Sequence, residues 1–269
     1  MKKEIIEFGK RMDAAEDKAM LVDYAEDATS VLDLGAGTGK ISRDIAEKWG
    51  AHVDAVDIQF KDNCQNSDQV TYYGIGINEF LANYPEKRYD CIVLSAILHE
   101  LSNDYLEEMI GMLQKVMLQN CRILIREPFY DNILGPVLPK DLEKYVKLVE
   151  NKLPAGKVIE YAMTPKLNSK MPLDIEDLLG IDWINFSFVI TYGEQSWERE
   201  KHELRYARSL DWCKSTFNFP LRPFTGFQVY PVLDKTYKRH FVNAGIPGEA
   251  FDLIQYTGMI VVIDYSKNE

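Results

Sequence analysis

The sequence has few of the features that mark membrane, disulfide-stapled or nucleic-acid-coating proteins. Nowhere in its 269 residues is there an uncharged apolar run of the ~18 residues that a membrane-crossing helix needs. Its four cysteines, Cys64, Cys91, Cys121 and Cys213, are widely separated and form no CxxC pair, and they read as reduced, structural thiols. Positive charge is in short supply: 31 Lys and Arg stand against 42 Asp and Glu, a net charge of −11. Long-range repulsion therefore opposes indiscriminate binding to phosphate backbones or anionic membranes. Linkers rich in Gly, Ser or Pro, internal repeats and low-complexity tracts are also missing, so no second independently folding domain is required of residues 1–269. The opening Met-Lys-Lys runs into Glu4, Glu7, Lys10 and Asp13 without an apolar stretch, and a cytoplasmic protein is expected.

What is present is enough apolar side chain, 46% of the residues, to bury a continuous core. Residues 1–29 carry apolar side chains at helical spacing (Ile5, Phe8, Met12, Ala15, Met20, Tyr24), which predicts one or two amphipathic helices. Strands are then predicted at 31–34, 52–57, 70–73, 89–95 and 122–126, with helices at 41–49, 78–84 and 103–119 between them. That alternation predicts an α/β protein, a parallel sheet covered on both faces, with a ligand-binding core over 30–135. Beyond Pro128 the rhythm fades into helices at 141–153 and 174–179. Two last strands are expected at 183–192 and 259–265, with an insertion over 193–257 between them.

The informative segment is Val31-Leu32-Asp33-Leu34-Gly35-Ala36-Gly37-Thr38-Gly39. Three glycines at alternate positions, directly after a strand and before a helix, let the chain turn sharply and approach a ligand closely. A dinucleotide loop would carry G-x-G-x-x-G, with a pyrophosphate on the helix N-terminus. Here the spacing is G-x-G-x-G, and Asp33 beside it suits a cationic amino group better than phosphates. Asp57, twenty residues beyond Gly37, closes the second strand, where a carboxylate can accept hydrogen bonds from both ribose hydroxyls. A nicotinamide dehydrogenase is disfavoured by the same spacing.

On these residues the chain resembles the class I S-adenosylmethionine-dependent methyltransferases over approximately 31–127. The resemblance implies a Rossmann-like doubly wound sheet, mostly parallel with an antiparallel last strand, and S-adenosylmethionine as cofactor. It implies that Gly35, Ala36, Gly37, Thr38 and Gly39 contact the methionine part, with Asp33 nearby, and that Asp57 and Ile58 contact the nucleoside. Gly76-Ile77-Asn78 would border the adenine, although Gly76 stands where many members carry an acid. Ser95 ends the fourth strand, and the following Ala96-Ile97-Leu98-His99-Glu100-Leu101 resembles the segment that faces the transferable methyl.

The candidate catalytic pair is His99 and Glu100, placed where a base could deprotonate a hydroxyl or ammonium acceptor. The other reading of His99 is a residue that caps or packs the following helix. A zinc-hydrolase HExxH is excluded because position 103 is Asn103, and no metal site is expected. His52, His202 and His240 are isolated and read as surface or packing residues. Arg126 and Glu127, at the end of the fifth strand, either orient a polar substrate at the cleft edge or form an exposed ion pair. Two DNA-modifying classes are disfavoured: Ser95-Ala96-Ile97-Leu98 replaces the D/N/S-P-P-Y/F segment of exocyclic-amine enzymes, and no cysteine follows a proline.

Residues 213–241 interleave Lys214, Arg222, Lys235, Lys238 and Arg239 with seven aromatics from Phe217 to Phe241. Such a set suits stacking on bases and pairing with phosphates, or else it forms a small satellite core with basic side chains lying over it. The expected function is transfer of a methyl group to a small-molecule O or N nucleophile. RNA or nucleotide methylation and a non-catalytic, cofactor-binding regulatory role are the alternatives.

Overall fold

Apolar runs with β-branched residues make the strands, and amphipathic stretches between them make the helices. The computed structural model describes residues 16–60, 64–127, 129, 147–148, 151–152, 189–191, 193, 208–232, 235–248 and 258–265. In chain order the elements are α1 (Glu16–Asp23), β1 (Ser30–Leu34), α2 (Lys40–Trp49), β2 (His52–Val56), β3 (Val70–Tyr73), α3 (Ile77–Asn83) and β4 (Tyr89–Ser95). A 3-10 turn at Leu98–Glu100 follows, then α4 (Asn103–Val116), β5 (Met117–Glu127), α5 (Leu210–Thr216), β6 (Phe224–Val232), α6 (Lys235–Asn243) and β7 (Gly258–Tyr265).

The seven strands form one sheet in the order β3-β2-β1-β4-β5-β7-β6. All neighbours from β3 to β5 are parallel, and β7 runs antiparallel to both β5 and β6. The chain builds outward from β1 in one direction and then returns to place β4 on its other side. The carboxyl ends of β1 and β4 therefore flank a topological switch point, where open α/β sheets leave a crevice for ligands. Val31, Leu32, Leu34, Ile92, Val93 and Leu94 are each fully buried, as expected of strands covered on both faces. Helix α2 buries Ile41, Ile45 and Ala46 and ends at Gly50, whose φ of 70° and N–H bond to the Ala46 carbonyl make a left-handed cap. Helix α4 starts at Ser102, whose hydroxyl accepts the Tyr105 amide, and buries Leu106, Met109, Leu113 and Val116 at helical spacing.

The chain divides into two compact units, one of Met1–Glu127, Asp211–Val232 and Gly258–Glu269, the other of Pro128–Leu210 and Leu233–Thr257. The whole sheet belongs to the first. In the second, α6 closes through Gly245 at φ 90°, with the Ile246 amide donating to the Phe241 carbonyl and Lys152 to that of Ala244.

The expected place of the penultimate strand needs correction. The strand expected at 183–192 lies mostly outside the described residues, and its described part, 189–191, is helical. Its place is taken by β6, which lies inside the stretch read as an insertion. Of the two readings of residues 213–241, the satellite core holds for Phe217 and Phe219, which are buried: Phe219 stacks on Tyr265 at 5.5 Å, and the Tyr265 hydroxyl donates to the Phe217 carbonyl. Arg222 donates to the Met117 and Leu118 carbonyls at 3.1 and 2.8 Å. The helices expected at 141–153 and 174–179, and residues 1–15, fall outside the described residues except for helical pieces at 147–148 and 151–152. Among the described residues no helix is long and apolar enough to cross a membrane.

Candidate active site

The turn after β1 holds its three glycines in the left-handed region, at φ 75° for Gly35, 56° for Gly37 and 69° for Gly39. A side chain at any of them would be strained, and each meets a different surrounding. A Cβ on Gly35 would lie 2.7 Å from Ile97 Cγ1, and one on Gly39 would lie 2.6 Å from Tyr72 Cε1. At Gly37 a Cβ would meet nothing within 4 Å, so the middle of the turn faces open space. The turn is tied to β2: the Gly35 and Ala36 amides donate to the Val56 carbonyl, and the Gly37 amide donates to Asp57 Oδ2 at 2.8 Å. Asp57 Oδ1 accepts the Gln59 amide at 2.9 Å. Each carboxylate oxygen thus spends one lone pair on the backbone and keeps acceptor capacity toward the crevice. The Thr38 carbonyl accepts from Arg43 and from the Cys64 thiol, and its hydroxyl accepts the Lys40 amide at 3.4 Å.

The remaining expected cofactor contacts divide into crevice residues and buried ones. Ile58 stands 79% exposed beside Asp57. Ser95 ends β4 with its Oγ buried and without a hydrogen-bond partner. Asp33 is 1% exposed and accepts the Ser42 hydroxyl at 2.5 Å. Burial pushes its carboxyl up to about 6, the Ser42 hydrogen bond and Lys18 pulling the other way. Ile77 turns its side chain into the core from the first turn of α3. Asn78 receives no solvent-side role: its amide donates to the Tyr105 hydroxyl, and its Nδ2 donates to the Tyr105 carbonyl and to Glu108 Oε2. Asn78 Oδ1 is buried and without a partner.

On the other side of the switch point, β4 is followed directly by Ala96, a non-glycine residue at φ 56°. His99 is 5% exposed, with Nδ1 2.6 Å from Glu127 Oε2 and Nε2 4.0 Å from Glu100 Oε1. Glu100 is half exposed. Arg126 and Glu127, read from sequence as cleft-edge residues or an exposed ion pair, are 2% and 3% exposed. The correction has a simple cause, since β5 is flanked by β4 and β7 and its last residues remain inside the sheet. The pairing of Glu127 with His99 joins residues 28 apart in sequence, and no local motif announces it.

Left-handed glycines after β1, a carboxylate directly after β2 and a hydroxyl without a partner at the end of β4 all lie at the carboxyl ends of neighbouring strands, at the switch point of a Rossmann-like sheet. Comparison with known proteins agrees with that architecture. Residues 5–163, more than half of the chain, match the model of the methyltransferase domain family, and the chain belongs to that family. It is 30% identical over 163 residues to the tRNA1(Val) (adenine(37)-N6)-methyltransferase of Flavobacterium psychrophilum, an alignment covering 54% of this chain and 68% of that protein. In fold it is similar to the plantazolicin methyltransferase BpumL, solved with a pentazolic desmethylPZN analog and SAH, at a TM-score of 0.50 and 11% identity, covering 99% of this chain and 91% of that one. The 1,6-didemethyltoxoflavin-N1-methyltransferase of Burkholderia thailandensis is also similar, with a TM-score of 0.47, 12% identity and coverage of 93% and 76%.

Proposed function

We propose that the sheet-bearing unit binds S-adenosylmethionine and directs its methyl group to a small-molecule oxygen or nitrogen nucleophile. The observation that carries this reading is the glycine turn, with three successive alternate residues at positive φ, the middle one open, and Asp57 bound to its amide. The residues present fit the cofactor: Gly35–Gly39 take the amino-acid part, Asp57 the ribose hydroxyls, and exposed Ile58 one face of the adenine. Asp33 supplies negative charge beneath the turn, and Ser95 Oγ is a polar atom in need of a partner. The cofactor supplies a methyl group already activated on a sulfonium. What the protein adds is alignment and exclusion of water, and His99 is the candidate to accept the proton that a hydroxyl or ammonium acceptor releases.

The tRNA-modifying relative favours a second reading, methylation of RNA. Against it stand the net charge, the Ser95-Ala96-Ile97-Leu98 segment, and the use of Phe217, Phe219 and Arg222 in packing. Calorimetry with S-adenosylmethionine tests the cofactor: binding by the wild type and a loss of about 10- to 100-fold in Asp57→Ala are expected, as hydrogen bonds to a charged group are removed. No heat under varied conditions would remove the assignment. A salt series on RNA binding separates the acceptor classes, because only phosphate recognition weakens steeply with salt.

A further inference from the structure

The end of β5 captures the segment after β4 through four consecutive residues. The Ala96 amide donates to the Arg126 carbonyl at 2.8 Å, continuing the parallel ladder one step past Ser95. The next two amides, of Ile97 and Leu98, both donate to Glu127 Oε1 at 2.6 Å. The fourth residue places His99 Nδ1 2.6 Å from the other oxygen, Oε2. Ala96 at φ 56° followed by Ile97 at φ −128°, ψ −32° turns the successive amides toward one point, the concave backbone arrangement that receives anions. Here the anion is a side chain of the protein itself, and it is 3% exposed.

We infer that Glu127 is a positioning residue for the transfer reaction, holding the His99 imidazole with its proton on Nδ1 and its acceptor lone pair on Nε2. A carboxylate has no proton to give, so the nitrogen that faces it must be the donor, and the neutral ring then carries its basic site on the far nitrogen. The same carboxylate holds the Ile97 backbone, and Ile97 is the side chain against which Gly35 packs. One buried group thereby sets both the protonation geometry of His99 and a wall of the glycine turn. The inference rests on the proposed role of His99 as the base, but its test requires no acceptor.

The experiment is nitrogen NMR on protein labelled with ¹⁵N-histidine, in which the His99 signals are assigned by their disappearance in His99→Gln. In the wild type the neutral ring should be protonated at Nδ1. In Glu127→Gln the amide oxygen can keep the two backbone donors while its NH2 donates to Nδ1, so the ring proton should move to Nε2. A wild-type ring protonated at Nε2 would overturn the inference by itself, even if the variant did not fold. An unmoved proton in folded Glu127→Gln would do the same, since it would leave Glu127 a merely structural clamp. Melting with S-adenosylhomocysteine is measured alongside: a shift in Glu127→Gln equal to the wild type's supports a role confined to the base. Absence of any shift in the wild type counts against the cofactor assignment, and the tautomer result stands independently of it.

Discussion

Replacing each glycine of the β1 turn by alanine should separate stability from binding in an order that the geometry dictates. All three substitutions force a Cβ into the left-handed region, at a cost of about 1–2 kcal/mol. At Gly37 that is the whole cost, because the new methyl meets nothing within 4 Å. At Gly35 it would meet Ile97 Cγ1 at 2.7 Å, and at Gly39 it would meet Tyr72 Cε1 at 2.6 Å, so a side chain must move in each case. Overpacking adds about 1–3 kcal/mol. Gly37→Ala should therefore be the least destabilised of the three when the protein is alone. With S-adenosylhomocysteine at 100 times its dissociation constant, the wild type should gain about 2.7 kcal/mol. For a domain of this size that raises the melting temperature by roughly 5–10 °C. Gly37→Ala should lose most of that gain, because its methyl occupies the face that the structure leaves open to the ligand. Differential scanning fluorimetry with and without ligand measures both quantities on the same samples. If Gly37→Ala melted near the wild type and still showed the full ligand shift, the turn would not be the cradle and the cofactor placement would be wrong.

Other expectations concern buried groups. The Asp33 carboxyl, pushed up to about 6 by burial, takes up a proton more readily folded than unfolded, so its contribution is greatest in acid and is lost as pH rises from about 4 through 6. Asp33→Asn should therefore gain on the wild type across that interval, by up to about 3 kcal/mol near pH 7; melting curves of the two proteins that stay parallel from pH 4 to 7 would refute it. Burial pushes all four thiols up, but Cys64 is only partly covered and Arg43 pulls it the other way, whereas Cys91, Cys121 and Cys213 are buried. Brief alkylation of the native protein at neutral pH, read by peptide mass spectrometry, should modify Cys64 first, and faster labelling of any of the other three would contradict the burial described.

The glycine turn and the strands leading to it were legible because their signals are local. Gly35, Gly37 and Gly39 each need positive φ, and β4 carries the continuous apolar run Cys91-Ile92-Val93-Leu94 of a strand covered on both faces, while the short apolar runs of β1 and β2 are each broken by one aspartate, Asp33 and Asp54. Asp57 could be placed because it closes a strand next to that turn. The penultimate strand was missed for a physical reason: β6 contains Gly226 and Pro231, which weaken a strand signal, and it tolerates them because among the described residues it lies at the sheet's edge, paired with β7 on one side. Residues 183–192 look more strand-like by composition, yet 189–191 are helical. Glu127 and Asp33 show the other limit. Whether a carboxylate at a strand end faces water or a buried partner depends on contacts such as His99 and Ser42, which sequence spacing does not encode.

The position of β7 has a consequence for how the chain comes to be folded. The last of the described strands, Gly258–Tyr265, lies between β5 and β6, so during synthesis β5 waits for this neighbour while more than a hundred further residues emerge. Until that strand arrives, β6 lacks the neighbour that joins it to the sheet, and the unfinished sheet is a template for other chains. Loss of β7 would therefore damage solubility out of proportion to its length, and a ribosome-bound intermediate lacking it is where chaperone dependence would be concentrated.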